Sequence, residues 1–183
     1  MQIKMKKASD NHQIIAKKAI SKALNGEHDK ALKLYQQALR QGRDQNASMI
    51  EMRYYSECAL DSMELSGHFD GVINYCTEAL NHYEVQAPQT DVAFKDKIHL
   101  IQRREIARIK KGESESIDVN IKQALAQAKE KGLALPLLEK VKNWMDQGFH
   151  IDTKRIEQEQ YRHKYFIVDK QNPVFQNDRA YQS

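Results

Sequence analysis

The chain has 183 residues and a formal net charge of +4, and 40% of its residues are hydrophobic while 30% are charged. This composition is typical of a globular protein with one domain or a short stack of repeats, and it leaves little material for linkers. The sequence contains no apolar run of 18 residues, so a transmembrane helix is excluded on length.

The charge is distributed unevenly along the chain. Basic residues dominate 1–24 and 88–112, whereas 46–87 holds seven acidic residues and a single basic one, Arg53. An acidic middle with basic flanks predicts a patterned surface that selects charged partners.

The basic N-terminal segment, residues 1–10, lacks the features of a secretory signal. The apolar residues that follow it are interrupted by lysines, so the apolar core of a signal peptide is missing. We therefore expect a cytoplasmic protein. In that compartment Cys58 and Cys76 stay reduced, and because their spacing matches no zinc or redox motif, both are predicted to be small core residues.

A phrase that begins with glycine and ends in Ala-Leu occurs three times. The copies are GEHDKALKLYQQAL from Gly26, GHFDGVINYCTEAL from Gly67 and GESESIDVNIKQAL from Gly112. Small, apolar or aromatic residues recur 5, 9, 12 and 13 positions after each glycine, and these offsets share one face of an α-helix. The glycine ends the preceding helix, because a left-handed residue costs little only without a Cβ.

Each copy therefore predicts a helical hairpin, and the predicted fold class is all-α. Three repeats are predicted in residues 11–132. The repeats span 11–42, 47–86 and 90–132, with helices near 11–25, 28–42, 47–66, 69–86, 90–111 and 114–132.

This pattern resembles the tetratricopeptide repeat (TPR). In that family the turn glycine, a small residue five positions later, an aromatic residue nine later and an alanine twelve later are signature positions, and the first copy matches all four. The residues taken as the structural repeat signature are Gly26, Ala31, Tyr35, Ala38, Gly67, Ala79, Gly112 and Ala124. The resemblance implies a right-handed α-α superhelix whose first helices line a concave binding surface.

The copies also depart from the family pattern. The first two glycines are 41 residues apart and the last two are 45 apart, whereas the family period is about 34. In the third repeat, Arg104, Glu105 and Arg108 would fall at packing positions. The first helix of that repeat therefore fits the family register poorly.

A fourth hairpin without the signature is predicted at 133–168. Its second helix begins at an Asp152 N-cap, and Pro136 suits the first turn of its first helix. The apolar face of that first helix consists of Leu137, Leu138, Val141, Trp144 and Met145. Terminal repeats are usually atypical, so we interpret this hairpin as a cap. Residues 169–183 are predicted to form a polar tail, either extended or mobile.

The sequence offers no framework for catalysis. It has no histidine pair at the four-residue spacing of a helical metal site, no glycine-rich phosphate loop and no nucleophile elbow. We therefore predict a protein that is not an enzyme and that needs neither a cofactor nor a metal ion.

Partner binding is predicted on the first helix of the second repeat, which the resemblance assigns to the concave surface. Its residues along that surface are Tyr54, Glu57, Asp61 and Glu64. The three acids, called the acidic stripe below, share one helix face and would attract a basic or amphipathic peptide. A solvated helix face is the alternative explanation.

The clamp for C-terminal carboxylates that some members of the family use is not predicted. The matching positions hold Ala16, Ile20 and Cys58, which carry no basic or amide group. His99 and Arg103 do stand where the third-repeat contacts of such a clamp would lie. We therefore keep His99 and Arg103 as candidate partner-binding residues.

The predicted function is a non-catalytic protein- or peptide-binding module, such as an adaptor, a chaperone or a regulatory subunit. The alternative is a nucleic-acid-binding protein, because segments 95–111 and 154–166 interleave basic residues with Tyr161, Tyr165 and Phe166, a composition suited to RNA. Those aromatic residues equally suit a sealed terminal cap. We expect a protein or peptide partner, no membrane association, and either a monomer or a homodimer.

Overall fold

The structure, a computed structural model, describes residues 11–176. Every regular element in that range is an α-helix, which confirms the all-α prediction. The helices are α1 (Asn11–Leu24), α2 (His28–Asp44), α3 (Met49–Leu65), α4 (Phe69–Val85), α5 (Asp91–Lys111), α6 (Ile117–Glu130), α7 (Pro136–Asp146), α8 (Thr153–Arg162) and α9 (Pro173–Gln176). None of these helices has the length and apolar content needed to cross a membrane. The basic N-terminal segment and residues 177–183 of the predicted tail lie outside the described residues.

Local capping explains where several helices begin. The Ser48 hydroxyl accepts the N–H of Glu51 at 3.2 Å, and the Glu51 carboxylate accepts the N–H of Ser48 at 3.0 Å, which is a complete capping box. Thr90 caps α5 through its hydroxyl. The Asp152 carboxylate accepts a backbone N–H at the start of α8, as predicted. Pro136 occupies the first turn of α7.

The turn glycines adopt the left-handed backbone conformation. Gly26, Gly67 and Gly112 have φ angles of 77°, 81° and 89°. A Cβ added at Gly112 would meet no atom within 4 Å, so the glycine is required for its backbone angles and not for space. After Gly112 the next helix starts later than predicted, because Ser116 is also left-handed and α6 begins only at Ile117.

The chain divides into two compact units. The N-terminal unit contains the described residues up to Gly67 together with those from Phe166 onward, and the central unit is His68–Tyr165. Within each unit consecutive helices pack against each other, as they do in helical-repeat proteins. The boundary falls inside the second predicted repeat, so α3 and α4 belong to different units.

In the N-terminal unit, α2 packs against both α1 and α3. Ala31, Tyr35 and Ala38 of α2 are fully buried, because their spacing puts them on one helix face. The His12 imidazole and the Tyr55 hydroxyl form a hydrogen bond of 3.0 Å between α1 and α3.

In the central unit, α5 packs against α4, α6 and α8, and α7 packs against α6 and α8. Signature residue Ala124 is buried, whereas Ala79 is half-buried. The largest cluster of buried apolar side chains comprises Ile98, Ile106, Ile117, Ile121, Ala124, Ala128, Leu135, Leu137, Leu138, Val141, Trp144 and Ile156. This cluster includes four of the five apolar residues predicted for the capping helix α7.

A buried carboxylate explains the poor register of the third repeat. Glu105 has a relative exposure of 0%, so it does occupy a packing position. Arg104 and Arg108 donate to its two oxygens at 2.8 and 3.0 Å, and the Asn120 amide donates at 3.2 Å. The buried charge is tolerated because neighbours on the same helix neutralise it.

The end of the predicted cap and the described part of the predicted tail differ from expectation. Residues 166–168 belong to the N-terminal unit and not to a hairpin with α7 and α8. The chain from 169 to 176 forms turns and the one-turn helix α9. The reason is apolar burial, because Val168 and Phe175 are 7% and 5% exposed although the surrounding sequence is polar.

Candidate functional site

The acidic stripe on α3 is not an open surface. Asp61 and Glu64 are each 1% exposed, and only Glu57 of the three acids is half-buried. Tyr54 is also half-buried and packs against neighbouring apolar residues. A basic peptide therefore meets no continuous negative face on α3, and the solvated-face explanation fails for the same reason.

Asp61 instead binds the backbone of a distant part of the same chain. One carboxylate oxygen accepts the N–H of Ile167 at 2.7 Å and that of Val168 at 3.4 Å. A carboxylate is a strong acceptor for backbone N–H groups. Its partner lies in residues 166–176, called the C-terminal segment below.

The C-terminal segment packs against apolar residues of the first three helices. Val168 and Phe175 belong to one buried cluster with residues of α1, α2 and α3. Those helix residues are Ala19, Ile20, Ala23, Leu24, Ala31, Tyr35, Cys58 and Ala59, and together with Asp61 they are called the docking surface below. Small side chains predominate on α1 and α3, which lets a chain approach the helices closely.

Hydrogen bonds within the C-terminal segment fix its shape. The Asp169 carboxylate accepts the N–H of Gln171 at 3.0 Å, and the Asn172 side chain accepts the N–H of Val174 at 3.1 Å. The Asn172 amide also donates to the Ile167 carbonyl at 3.3 Å. Short polar side chains of this kind stabilise turns by replacing backbone partners.

The docking surface contains a thiol with suppressed reactivity. Cys58 is free and 0% exposed, and burial, followed by the nearby Asp61 charge, raises the pKa of its thiol to about 12. Burial likewise raises the pKa of the Tyr35 hydroxyl. Since the thiolate is the reactive form, Cys58 acts here as a small apolar side chain and not as a nucleophile.

His99 and Arg103 lie on α5 of the central unit and differ in exposure. His99 is exposed, whereas Arg103 is only 7% exposed. The Arg103 guanidinium stands over the Tyr165 ring, 5.0 Å from its centroid, which is a cation–π contact. Arg103 is thus engaged inside its own unit and does not extend towards a peptide carboxylate.

The basic residues of segment 95–111 are largely paired within the central unit. Lys110 is 8% exposed despite its charge, and a hydrogen bond to Asp70 raises the pKa of Lys111. The ion pairs join Arg104 with Glu105, Arg108 with Glu105 and Glu113, Lys110 with Glu157, and Lys111 with Asp70 and Glu113. Positive charge that is already neutralised contributes little to phosphate binding.

The aromatic residues of segment 154–166 do not form a stacking platform. Phe166 is 4% exposed and belongs to the N-terminal unit, and Tyr165 is covered by Arg103. Tyr161 is the most exposed of the three, at 37%. Single-strand binding proteins instead present several aromatic faces along a basic groove.

The arrangement offers no sign of metal chemistry between residues 11 and 176. No group of three or more His, Cys, Asp or Glu side chains there is placed to hold a metal ion. Glu159 and His163 line an open depression on the central unit, but Arg162 donates to the Glu159 carboxylate at 2.5 Å. A paired carboxylate is a poor candidate for a general base.

Sequence reasoning missed the C-terminal segment as a functional feature. The available signal was the apolar residues within a polar stretch, FIV at 166–168 and VF at 174–175.

No protein-family description, curated protein or solved structure matches this chain.

Proposed function

We propose that this chain is a non-catalytic peptide-binding module whose docking surface holds an extended or turn-forming peptide. The observation that carries the proposal is the occupancy of that surface by the C-terminal segment, through Val168, Phe175 and the backbone N–H of Ile167. A surface that holds one peptide by main-chain and apolar contacts suits others with the same features.

The chemistry of the docking surface supports peptide recognition over binding of a charged small molecule. Its polar contribution to the C-terminal segment includes the Asp61 carboxylate, which accepts backbone N–H groups at 2.7 and 3.4 Å. Backbone donors are present in every peptide, whereas the apolar contacts select the side chains. The expected partner is therefore apolar at its anchors, which replaces the basic peptide expected from the acidic stripe.

The proposal includes a tetratricopeptide-like role for the hairpins. In that arrangement the first helices of successive repeats line the binding surface, and α1 and α3 are the first helices of the first two predicted repeats. Both contribute residues to the docking surface. Turn glycines with positive φ and the fully buried Ala31, Tyr35 and Ala38 are consistent with this assignment.

Nucleic-acid binding has weaker support. Four of the seven basic side chains of α5, Arg104, Arg108, Lys110 and Lys111, are paired with carboxylates, and Tyr165 is covered by Arg103. Binding to RNA would have to break these contacts before phosphates were neutralised. We therefore do not propose it, and an RNA arm in the experiment below tests this choice.

A peptide-library selection tests the proposal. The target is the full chain with Val168 and Phe175 both replaced by serine, which frees the docking surface, and circular dichroism verifies its helicity. Selected peptides should carry apolar anchors and bind at least tenfold more weakly when Asp61→Ala is added. The matched control is Asp44→Ala, an exposed carboxylate of the same unit, which should leave affinity unchanged.

Two results would contradict the proposal. One is a folded double variant that selects no peptide, and the other is a set of peptides whose binding ignores Asp61→Ala. In the RNA arm, a labelled single-stranded RNA that binds with a steep dependence on salt would favour the alternative function.

A further inference from the structure

The C-terminal segment is built as a separate piece of structure. Asp169 and Asn172 cap its turns, and the N–H groups of Asn172 and Phe175 donate to carbonyls within the segment at 3.0 Å each. A peptide whose turns are stabilised internally loses less conformational entropy when it docks. These internal hydrogen bonds remain when the segment leaves the docking surface, so release does not leave the backbone groups that form them without partners.

The attachment to the docking surface is concentrated at the two ends of the segment. Ile167 and Val168 are held at one end by Asp61, and Phe175 is buried at the other. Between them Lys170, Gln171, Pro173 and Val174 are exposed. Asp169 is buried and Asn172 half-buried in the same stretch. Two apolar anchors seven residues apart, joined by a mainly exposed stretch, suit a docked peptide.

Tethering makes the C-terminal segment a strong competitor. A ligand that belongs to the same chain as its site meets that site in an intramolecular event, so its effective concentration does not fall when the protein is diluted. The C-terminal segment and the docking surface belong to one chain and to one compact unit. A free peptide at micromolar concentration must therefore overcome both the contacts and the tether.

We propose that the C-terminal segment is an intramolecular ligand that closes the docking surface, and that partner peptides of the same chemistry must displace it. Such a partner carries an aliphatic anchor and an aromatic anchor seven residues later, with free backbone N–H groups for Asp61. This regulation rests on the function proposed above, since a surface that binds no external peptide has nothing to regulate.

The test compares closed and opened forms of the full chain. The probe is a labelled synthetic peptide of residues 165–177, YFIVDKQNPVFQN, and binding is followed by fluorescence anisotropy. The opened form carries Val168→Ser and Phe175→Ser. The matched control carries Val174→Ser, which changes a residue of the same segment that is 66% exposed.

The opened form should bind the probe at least tenfold more tightly than the wild type, and Val174→Ser should behave as the wild type. Equal affinity for wild-type and opened chains would overturn the regulation while leaving the proposed function intact. A folded opened form that fails to bind the probe and selects no library peptide would overturn both.

A second measurement covers the case in which the opened form does not fold. Hydrogen exchange of the wild-type chain should show the amides of Ile167 and Val168, which donate to Asp61, exchanging at least tenfold faster than the buried amides of α1 and α3. Exchange of these amides only together with the helix amides would mean that the segment leaves only on unfolding, and the proposal would be wrong.

Discussion

Replacing Asp61 by alanine should loosen the C-terminal segment more than the helices beneath it. The carboxylate accepts the N–H of Ile167 at 2.7 Å and, more weakly, that of Val168 at 3.4 Å. A hydrogen bond to a charged group contributes about 1.5–3 kcal/mol to stability. Because desolvation of the buried charge offsets part of the gain, we expect a loss of about 2–3 kcal/mol for the pair.

The expected loss of stability raises the rate of amide hydrogen exchange in the C-terminal segment. Each 1.4 kcal/mol corresponds to a tenfold change, so the amides of Ile167 and Val168 should exchange roughly 30- to 150-fold faster in Asp61→Ala. Asp61→Asn keeps an acceptor oxygen but loses the charge. Since neutral hydrogen bonds are about half as strong as charged ones, its effect should be about 1 kcal/mol, or roughly fivefold.

The pattern across the chain separates this explanation from general destabilisation. Asp44→Ala removes an exposed carboxylate from α2 and should change exchange little, as surface substitutions typically stay within about 0.5 kcal/mol. The reasoning is refuted if Ile167 exchanges within twofold of the wild-type rate. It is also refuted if the amides of α1 and α3 accelerate as much as those of the segment.

Three further predictions concern single groups. Hydrogen bonds from Ser48 and then Gln13 lower the pKa of Glu51 from 4.5 to about 2, so their stabilisation is complete above pH 4.5 and is lost as the pH falls towards 2. The free energy of unfolding, measured in urea, should fall less between pH 6 and pH 3 in Glu51→Gln than in the wild type, because glutamine keeps the capping box but cannot titrate. An unchanged pH dependence would contradict this. Cys58, whose pKa is raised to about 12 by burial, should resist a thiol reagent at pH 8 and react faster in the variant with Val168→Ser and Phe175→Ser. Cys76 of the central unit serves as the internal control, and equal acceleration of both thiols would indicate general unfolding. Gly112→Ala should lower the stability of the protein by about 1 kcal/mol because φ is 89°, and Gly112→Asn should lower it less because Asn tolerates the left-handed region. Equal losses of stability in thermal unfolding would argue against a backbone cause.

Most of the fold follows from local signals in the sequence. Helix ends are encoded within a few residues, by Gly26 and Gly112 at turns and by Asp152 at a start. The buried Glu105 was visible as a misplaced charge. The side chains that neutralise it are also local, since Arg104 and Arg108 lie on the same helix. Such features are predictable because capping and helical spacing act within one turn.

The candidate site was less predictable because its decisive contact is not local. Asp61 and Ile167 are separated by 106 positions, and no periodicity connects them. When the partner of Asp61 is unknown, three acids spaced at i, i+4 and i+7 on one helix indicate either a solvated face or a face that attracts a peptide. The C-terminal segment gave no strong signal either, since Val168 and Phe175 stand among polar residues.

A carboxylate at the docking surface favours reversible closure over permanent packing. An apolar residue at position 61 would prefer the closed state alone, because opening would expose it to water. Asp61 is satisfied in both states, by the N–H groups of Ile167 and Val168 when the surface is closed and by water when it is open. The apolar anchors Val168 and Phe175 fix which residues of the segment dock, since every position of a peptide offers a backbone donor to Asp61. Closure is thus specific in register and leaves no buried polar group unsatisfied when it is reversed, which is what a surface that exchanges one peptide for another requires.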